Sequence, residues 1–377
     1  MMSGRVLYIK NSSSKVNLNT YNVQAVGLGK AFCQLGYDYD FLFFSKEDRT
    51  IQEEEISGHK LRIITKKGIR LLRSYVCPNV LDPSYLSSYD FVISTEYGQI
   101  MTYLVSKKTQ NVVLYSGPYY NLFKLPFVSP FYDLFFTKSI NKNCKAKFVK
   151  SQLAKSYLEK KGYTDLHNIG VGLDTSRFEP KTDIQPSTQA IIDIMKNNRC
   201  LLYVGALSDR KNFPFQLKVY EKVVEKNPDV KFVVIGKGKK QYVQKHLKKL
   251  SEKAQKGICM FERIDNAQLQ FVYPLAKAFM LPSKLEIFGM VLLESMYFGA
   301  PVVTSWNGGS STLIYNKQTG QIVKDFDAVQ WADAIQRYLD DDVYLRRTTE
   351  LAKEEIEQRY NWLAIASSML KQIKGNE

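Results

Sequence analysis

Residues 285–303 read LEIFGMVLLESMYFGAPVV, a mostly apolar stretch in which a short helix leads into a strand. The pattern predicts a helix from Phe288 to Phe298, stopped by Gly299, and a strand beginning near Pro301. Glu294 lies inside this helix, and all of its neighbours three and four residues away are apolar. A carboxylate in such surroundings needs hydrogen-bond donors, because burying it without partners is costly.

The same alternation of helices and apolar strands runs through the whole chain and restarts after about residue 180. In the first part the apolar runs are 5–10, 39–44, 89–95, 111–116 and 146–151, with a helical stretch at 23–35. In the second part they are 200–206, 230–236, 278–283 and 301–305, with helical stretches at 213–225 and 240–254. Continuous apolar strands separated by helices are typical of parallel sheets covered on both faces. The fold class is therefore α/β, and the restart predicts two Rossmann-like halves.

The domain boundary is predicted near residue 180, after VGLDTSRFEP (171–180), because the polar KTDIQPSTQAI that follows has the composition of a linker. The N-terminal domain is then 1–180 and the C-terminal domain 181–377. The tail, about 360–377, has the pattern of an amphipathic helix that can return to the N-terminal domain.

Composition narrows the class of protein. The 377 residues are 45% hydrophobic and 24% charged, as in folded globular chains, and the net charge of +16 favours an anionic partner. The five cysteines are scattered and form no Cys-x-x-Cys pair, which predicts reduced packing thiols in a cytosolic protein. The first apolar run is too short for a signal peptide, and no run approaches the length of a membrane span. Three scattered histidines argue against a zinc site, so no metal is expected.

The basic charge is locally uneven. Residues 60–73 carry six basic side chains and no acid, and residues 138–161 carry eight lysines and one acid. Between them lies YYNLFKLPFVSPFYDLFF (119–136), rich in aromatic and aliphatic side chains. Such a segment beside a basic one is typical of proteins that bind an anionic membrane surface, but it equally fits an ordinary loop and helix with a solvated lysine face. The lysines of 236–249 recur around a predicted helix, which indicates a solvated face, so no nucleic acid is expected.

The opening stretch also contains chemistry. Glu286 and Glu294 stand eight residues apart, the first before the helix and the second about two turns into it. Phe288-Gly289-Met290 begins the helix, whose unpaired amides and positive dipole end favour an anion, and Gly289 leaves room for a ligand. A ligand rich in hydroxyl groups would supply the donors that Glu294 needs.

Together these features resemble the Glu-x7-Glu signature of retaining GT-B glycosyltransferases of the glycosyltransferase family 4 type, which include bacterial surface-polysaccharide enzymes. Four further segments resemble family motifs in the same order: VGLDTSRF (171–178), YVGALSDRKN (203–212), VVIGKGKK (233–240) and NGGSSTLIYNKQTGQIV (307–323). The resemblance implies two Rossmann-like domains facing a central cleft, with a nucleotide-sugar held mainly by the C-terminal domain.

Roles follow from the resemblance position by position. Lys211, beside Arg210 and after Gly205, would pair with the diphosphate, and amides around Phe288, Gly289, Met290 and Val291 would face the phosphates. Glu294 would accept hydrogen bonds from ribose hydroxyls and Glu286 would contact the transferred sugar, so that Lys211 and Glu286 are the catalytic candidates. Arg263 and Ile264, within FERID (261–265), lie where the family contacts the base.

Three positions depart from the family's pattern. Ala206 stands where relatives often have an arginine, and Arg210 is interpreted as its replacement. The loop 11–22 lacks the usual pair of glycines. Ser116 stands where many relatives have a histidine, which makes Ser116 and Tyr119 the acceptor-side candidates.

The function expected from the resemblance is a retaining, metal-independent glycosyltransferase of the hexosyltransferase type that needs no cofactor. It would transfer a sugar from a nucleoside-diphosphate sugar, expected to be a UDP-sugar, to a glycan or lipid-linked acceptor in cell-surface polysaccharide or glycoconjugate synthesis. Its expected location is cytoplasmic, peripheral on the inner face of the cell membrane. Two alternatives stay open: a non-catalytic GT-B partner subunit that binds glycan or membrane, and a GT-B epimerase or phosphorylase.

Overall fold

The computed structural model describes residues 4–12, 16–18, 23–71, 73–123, 125–178 and 183–375, without the side chain of Arg177. The chain divides into two compact units, which we call the N-terminal unit (Met1–Asp174 with Arg359–Glu377) and the C-terminal unit (Thr175–Gln358). The loop 11–22, which lacks the pair of glycines usual in the family it resembles, lies partly outside the described residues.

The N-terminal unit is built on a twisted sheet. Its strands are β1 (Gly4–Lys10), β2 (Tyr37–Ser45), β3 (Arg49–Ile56), β4 (His59–Lys67), β5 (Ile69–Leu71), β6 (Ser74–Val76), β7 (Phe91–Thr95), β8 (Val112–Ser116), β9 (Ala146–Val149) and β10 (Leu166–Asn168). Among the described residues, eight of these form one sheet in the order β10-β9-β8-β7-β1-β2-β4-β3. All neighbours in it are parallel except β3 and β4, and β5 pairs with β6 as a separate hairpin.

Strand β4 shows why the basic run 60–73 is not a free cationic surface. Its side chains alternate, with Leu61, Ile63 and Thr65 buried. The basic side chains between them form ion pairs, Lys60 with Glu53, Arg62 with Asp40 and Lys66 with Asp48. Most of this run is therefore strand, and three of its six basic side chains are paired within the sheet.

The helices of the N-terminal unit cover the sheet. They are α1 (Gln24–Gln34), α2 (Pro83–Ser87), α3 (Ile100–Lys108), α4 (Val128–Tyr132), α5 (Lys138–Asn143) and α6 (Gln152–Glu159). A π-helical turn, Asp133–Thr137, joins α4 to α5, and we call the continuous segment 128–143 the aromatic helix. Its buried side includes Tyr132 and Ile140, which join the apolar core formed by the sheet.

The C-terminal unit repeats the architecture with a fully parallel sheet. Its strands are β11 (Cys200–Val204), β12 (Lys231–Ile235), β13 (Ile258–Phe261), β14 (Ala278–Leu281), β15 (Val302–Thr304) and β16 (Gln321–Ile322). In the described part of the chain their order is β13-β12-β11-β14-β15-β16. Strands β11, β12 and β14 are almost wholly buried, as the apolar runs predict.

Helices α7 to α14 surround this second sheet. They are α7 (Pro186–Lys196), α8 (Phe213–Lys226), α9 (Lys240–Leu247), α10 (Glu252–Gly257), α11 (Met290–Tyr297), α12 (Ser310–Leu313), α13 (Ala328–Asp340) and α14 (Asp342–Arg359). The helix predicted over 240–254 is two helices, because Ser251 caps α10 by accepting a hydrogen bond from the Ala254 amide. The predicted α/β class with two Rossmann-like halves is confirmed.

The last helix, α15 (Trp362–Lys374), belongs to the N-terminal unit and packs on α1. A side chain at Gly27 would overlap the Trp362 indole, and a Cβ at Gly172 would lie 2.6 Å from the Trp362 amide nitrogen. The Leu173 amide donates to the Tyr360 carbonyl at 2.7 Å, which fixes where the chain re-enters this unit. The described helices include none that is both long and apolar enough to cross a membrane.

Candidate functional site

The candidate site of the C-terminal unit lies at the carboxyl ends of its parallel strands, where α/β folds bind ligands. Loops leave β11 and β12 side by side, and the Gly205 amide donates to the Ile235 carbonyl at 3.0 Å. A side chain at Gly236 would overlap the Gly205 carbonyl, so this crossing of the two loops requires glycine. The motif segments 203–212 and 233–240 therefore meet at one edge of the sheet.

Lys211 and Glu286 are in contact at this edge. The Lys211 ammonium forms an ion pair with the Glu286 carboxylate, and the two side chains are only 11% and 13% exposed. Arg210 approaches the same carboxylate at 3.5 Å and donates to the Leu285 carbonyl at 3.1 Å, while its side chain is 54% exposed. Two cations and one carboxylate thus give the cluster an excess positive charge, which attracts an anion.

The loop that carries Glu286 is held by a glycine pair. The Gly308 amide donates to the Glu286 carbonyl at 3.0 Å, and side chains at Gly308 or Gly309 would overlap the carbonyls of Ile287 and Phe288. Segment 307–323, which resembles the family's glycine-containing loop, therefore positions the sugar-contacting candidate. The sequence predicts this loop but not its role as a support for Glu286.

Gly289 is the N-cap residue of α11 and has φ +80°, a left-handed conformation that favours glycine. Phe288 before it is buried, whereas Met290 and Val291 in the first helical turn are half-buried. The positive end of the α11 dipole lies at this first turn, and it favours negative charge beside Glu286 and Lys211.

Glu294 is completely buried and accepts hydrogen bonds from protein groups. Its Oε2 accepts hydrogen bonds from the side-chain amide of Asn266 and from the Tyr273 hydroxyl, each at 3.2 Å. The Tyr273 ring stacks on Phe298, which closes the apolar surroundings. Sequence reasoning missed both donors, although Asn266 follows FERID directly and could have been found there.

Arg263 and Ile264 lie two to three residues before Asn266, which contacts this carboxylate. Ile264 is buried, Arg263 is exposed, and the segment continues into Asn266, which contacts Glu294. The structure thus brings the base-side candidates to the same end of the sheet as Glu294.

The acceptor-side candidates belong to the N-terminal unit. Ser116 ends β8 and is completely buried, and its carbonyl accepts from the Lys150 amide at 2.9 Å. Tyr119 is half-buried, with its ring edge-to-face against Tyr120. Of the two candidates, Tyr119 is therefore the one with a surface that a ligand can reach.

Sequence reasoning missed a titratable group at the carboxyl end of β9. Burial lowers the pKa of Lys150 to about 8, and attraction from Glu96 opposes that shift only in part. Its ammonium donates to the Gln24 side chain at 2.8 Å and lies 4.6 Å from the centre of the Tyr115 ring. The pKa of Lys10, at the end of β1, is lowered by burial as well.

The two aspartates of DYD (38–40) lie on β2. The structure places Asp40 against Arg62, with two contacts of 2.6 and 2.9 Å, and against the Tyr89 hydroxyl at 2.6 Å. Asp38 lies 3.6 Å from His59. Both carboxylates therefore hold neighbouring strands together.

Comparison with known proteins adds independent findings. Residues 185–356 match the model of the family described as glycosyl transferases group 1. The chain is 27% identical over 209 residues to a D-inositol 3-phosphate glycosyltransferase of Corynebacterium diphtheriae, covering 53% of this chain and 48% of that protein. It is 27% identical over 173 residues to a glycogen synthase of Mycobacterium tuberculosis, covering 45% and 40%. The chain spans about half the length of the curated relatives it matches.

Solved structures resemble this chain over nearly all of its length. A sucrose-phosphate synthase of Thermosynechococcus elongatus has a TM-score of 0.69 at 19% identity and covers 99% of this chain and 98% of its own. Anabaena HepE, in complex with UDP and glucose, has a TM-score of 0.67 at 14% identity and covers 99% and 100%. The chain therefore has the GT-B fold, in which each of the two units is Rossmann-like.

Proposed function

We propose that the protein, whose C-terminal unit matches the glycosyl transferases group 1 family, transfers a sugar from a UDP-sugar to an acceptor with retention of configuration and without a metal ion. The observation that carries this proposal is the contact between Lys211 and Glu286 beside the first turn of α11. It joins a phosphate-binding cation, a sugar-binding carboxylate and an anion-attracting helix end in one place.

The donor would lie along this edge of the sheet. Lys211, Arg210 and the amides around Phe288–Val291 would receive the diphosphate, and Glu286 would then turn from Lys211 to the sugar hydroxyls. Glu294, held by Asn266 and Tyr273, would accept from the ribose, with Arg263 and Ile264 towards the base. Neighbouring structures that contain UDP and glucose support a donor of this kind.

Transfer breaks the bond between the anomeric carbon and the phosphate oxygen. Negative charge grows on the departing diphosphate while the sugar acquires oxocarbenium character. Lys211 and the start of α11 stabilise the first of these charges in a site largely shielded from water. The acceptor oxygen attacks from the face that the diphosphate leaves, and its proton passes to a diphosphate oxygen, so that atoms and charge balance without a protein nucleophile.

The acceptor we propose is a glycan or lipid-linked molecule of cell-surface polysaccharide synthesis, glycosylated on the cytoplasmic side of the membrane. This part rests on residues 119–136, whose apolar side chains remain exposed in the structure at Phe127, Phe131, Leu134 and Phe135.

The test is a panel of nucleoside-diphosphate sugars incubated with the full chain, with release of free nucleotide as the readout. We expect one UDP-sugar to be consumed and Lys211→Ala to slow its consumption by at least about 100-fold, as loss of a charge-stabilising donor does elsewhere. The matched control is Lys226→Ala, which removes an exposed lysine paired with Asp333. If no nucleotide sugar is consumed, the non-catalytic partner subunit replaces this proposal. If the nucleotide sugar is epimerised or cleaved by phosphate, the protein is an epimerase or a phosphorylase.

A further inference from the structure

A cavity of about 240 Å³ lies in the N-terminal unit. It lies between the β5–β6 hairpin, the aromatic helix and the segment that follows β7, and it is open to solvent. Its walls are mainly apolar and include Leu71, Ile100, Phe123, Tyr132 and Phe136. A space of this size with such walls favours an apolar occupant over water.

The polar groups on the walls are already engaged. The Tyr132 hydroxyl donates to the Tyr97 carbonyl at 2.7 Å, so the ring and not the hydroxyl is available to an occupant. The Ser74 hydroxyl accepts from the Met101 amide at 3.3 Å and donates to the Tyr75 carbonyl at 3.2 Å. The cavity therefore offers few hydrogen bonds to a sugar.

Arg73 is the charged residue among the described wall residues. Its guanidinium lies 3.8 Å from the Glu96 carboxylate and 6.0 Å from the centre of the Phe123 ring, and its side chain is 28% exposed. An apolar cavity with an arginine at its edge fits a molecule that joins an apolar chain to an anion, because arginine binds phosphate by two hydrogen bonds.

The cavity continues towards the acceptor-side candidates. A second, narrower pocket shares Arg73, Gly98 and Phe123 with it and extends to Glu96 and Pro118. These two residues follow the carboxyl ends of β7 and β8, and Pro118 stands between Ser116 and Tyr119 in the chain. A chain in the cavity would thus direct its anionic end to the edge where an acceptor is expected.

The surface beside the cavity indicates where such a molecule comes from. Phe127, Phe131, Leu134 and Phe135 are 60 to 73% exposed and recur at the spacing of one helical face. Together they expose on the order of 500 Å² of apolar surface, the upper end of what soluble monomers show. The exposed Lys138 and Lys142 continue this face, which is the arrangement of a helix lying on an anionic bilayer.

We propose that this cavity binds the hydrocarbon chain of a lipid-linked phosphate that serves as the sugar acceptor, with the phosphate at Arg73. The inference rests on the proposed function, since it names the class of acceptor for the same reaction. The aromatic helix brings the mouth of the cavity to the membrane that holds the lipid.

The experiment is calorimetric titration of the full chain with decyl phosphate below its micelle concentration. Inorganic phosphate and decanol at the same concentrations separate the contributions of the anion and of the chain. We expect saturable binding of decyl phosphate, at least tenfold weaker binding of decanol, and no heat from inorganic phosphate. Equal binding of inorganic phosphate and decyl phosphate would overturn the proposal, because it would identify a simple anion site.

Variants locate the binding. A Cβ at Gly98 lies 3.7 Å from the Phe123 ring, so the side chain of Gly98→Leu fills the cavity. Leu71→Asp places a charge on the cavity wall and is the second variant. Leu71 is half-exposed, so the folded chain tolerates this change. Both should abolish decyl phosphate binding, and Arg73→Gln should weaken it about tenfold. Arg70→Gln, an exposed arginine of the same hairpin that does not line the cavity, should leave it unchanged. Unaltered binding in Leu71→Asp and Arg73→Gln contradicts the inference.

UDP binding, measured on the same samples, separates this inference from the proposed function. Wild-type protein that binds UDP but not decyl phosphate leaves the donor site in place and overturns the lipid site. Protein that binds decyl phosphate but neither binds nor consumes any UDP-sugar overturns the proposed function, and with it the assignment of the lipid as an acceptor.

Discussion

The ion pair between Lys211 and Glu286 joins residues that are far apart in the sequence. Their backbones are tied as well, since the Lys284 amide donates to the Arg210 carbonyl at 3.0 Å. Because both side chains are mostly buried, each lowers the cost of burying the other. In the function we propose, a bound diphosphate would take the place of Glu286 at Lys211 and free the carboxylate for sugar hydroxyls.

Two hydrogen-bond donors explain how the carboxylate of Glu294 can be buried in an apolar helix. Asn266 and Tyr273 bind one oxygen of Glu294, so this residue has a structural role in addition to its proposed contact with ribose. These donors lie 28 and 21 residues before it in the chain, a distance across which helix periodicity carries no information.

The lowered pKa of Lys150 predicts that the stability of the folded chain depends on pH. Its pKa is about 8 in the folded chain and 10.5 when unfolded, so between these values the unfolded chain binds more protons and stability rises with pH. Below pH 8 the charged form of Lys150 is disfavoured in the folded chain, so Lys150→Met should raise the free energy of unfolding there. Chemical denaturation at pH 7 and pH 10 checks this: the gain from Lys150→Met should be large at pH 7 and small at pH 10.

The exposed Lys142 supplies the control for this measurement, since Lys142→Met should change stability little at either pH. A gain from Lys150→Met that is the same at both pH values would show that Lys150 titrates normally.

Among the elements, the aromatic helix is unusual because it exposes Phe131, Leu134 and Phe135 on its outer side while its inner side is buried in the core. Co-sedimentation with vesicles of phosphatidylcholine, with and without phosphatidylglycerol, tests its exposed side. We expect binding that requires the anionic lipid and weakens with salt, and at least a tenfold loss in the double variant Phe131→Ser with Leu134→Ser. Val343→Ser removes an equally exposed apolar residue of α14 and should bind as wild type does. Binding that ignores lipid charge and salt would contradict a membrane role.

The packing of α15 on α1 can be measured with a double-mutant cycle. Gly27→Val should destabilise the chain by about 1–3 kcal/mol, because the new side chain overlaps the Trp362 indole. Trp362→Ala alone should cost about 3–5 kcal/mol, since the ring is buried. The double variant should cost less than the sum, because removal of the ring makes room for valine. Additive costs in urea denaturation would show that the two residues are not in contact.

At the scale of the whole molecule, the parallel strands and the loops that follow them could be predicted from the sequence. Apolar runs such as 200–206 and 230–236 became buried strands, because a strand covered on both faces needs apolar side chains throughout. Strands β3 and β4 were not predicted, since their exposed positions carry charges that pair only once the strands are adjacent. The helix predicted over 240–254 missed the cap at Ser251, a local hydrogen bond that periodicity does not reveal.

Some residues of the candidate site could be predicted from the sequence and others could not. Lys211, Glu286 and Glu294 could be predicted because each lies in a segment that resembles a family motif. Asn266, Tyr273, Lys150 and the cavity at Arg73 could not, because their roles depend on contacts between distant segments or on burial. Ser116 was predicted from its place after a strand, but its complete burial depends on packing that the sequence does not display.

The central claim is that Lys211 and Glu286 form the diphosphate and sugar site of a UDP-sugar. Calorimetric titration of the full chain with UDP, UMP and uridine tests it most directly. We predict that UDP binds more tightly than UMP. Lys211→Ala should weaken the binding of UDP by at least tenfold and leave the binding of uridine unchanged, whereas the control Lys226→Ala should change neither. If Lys211→Ala binds UDP as tightly as the wild-type protein does, the account is contradicted.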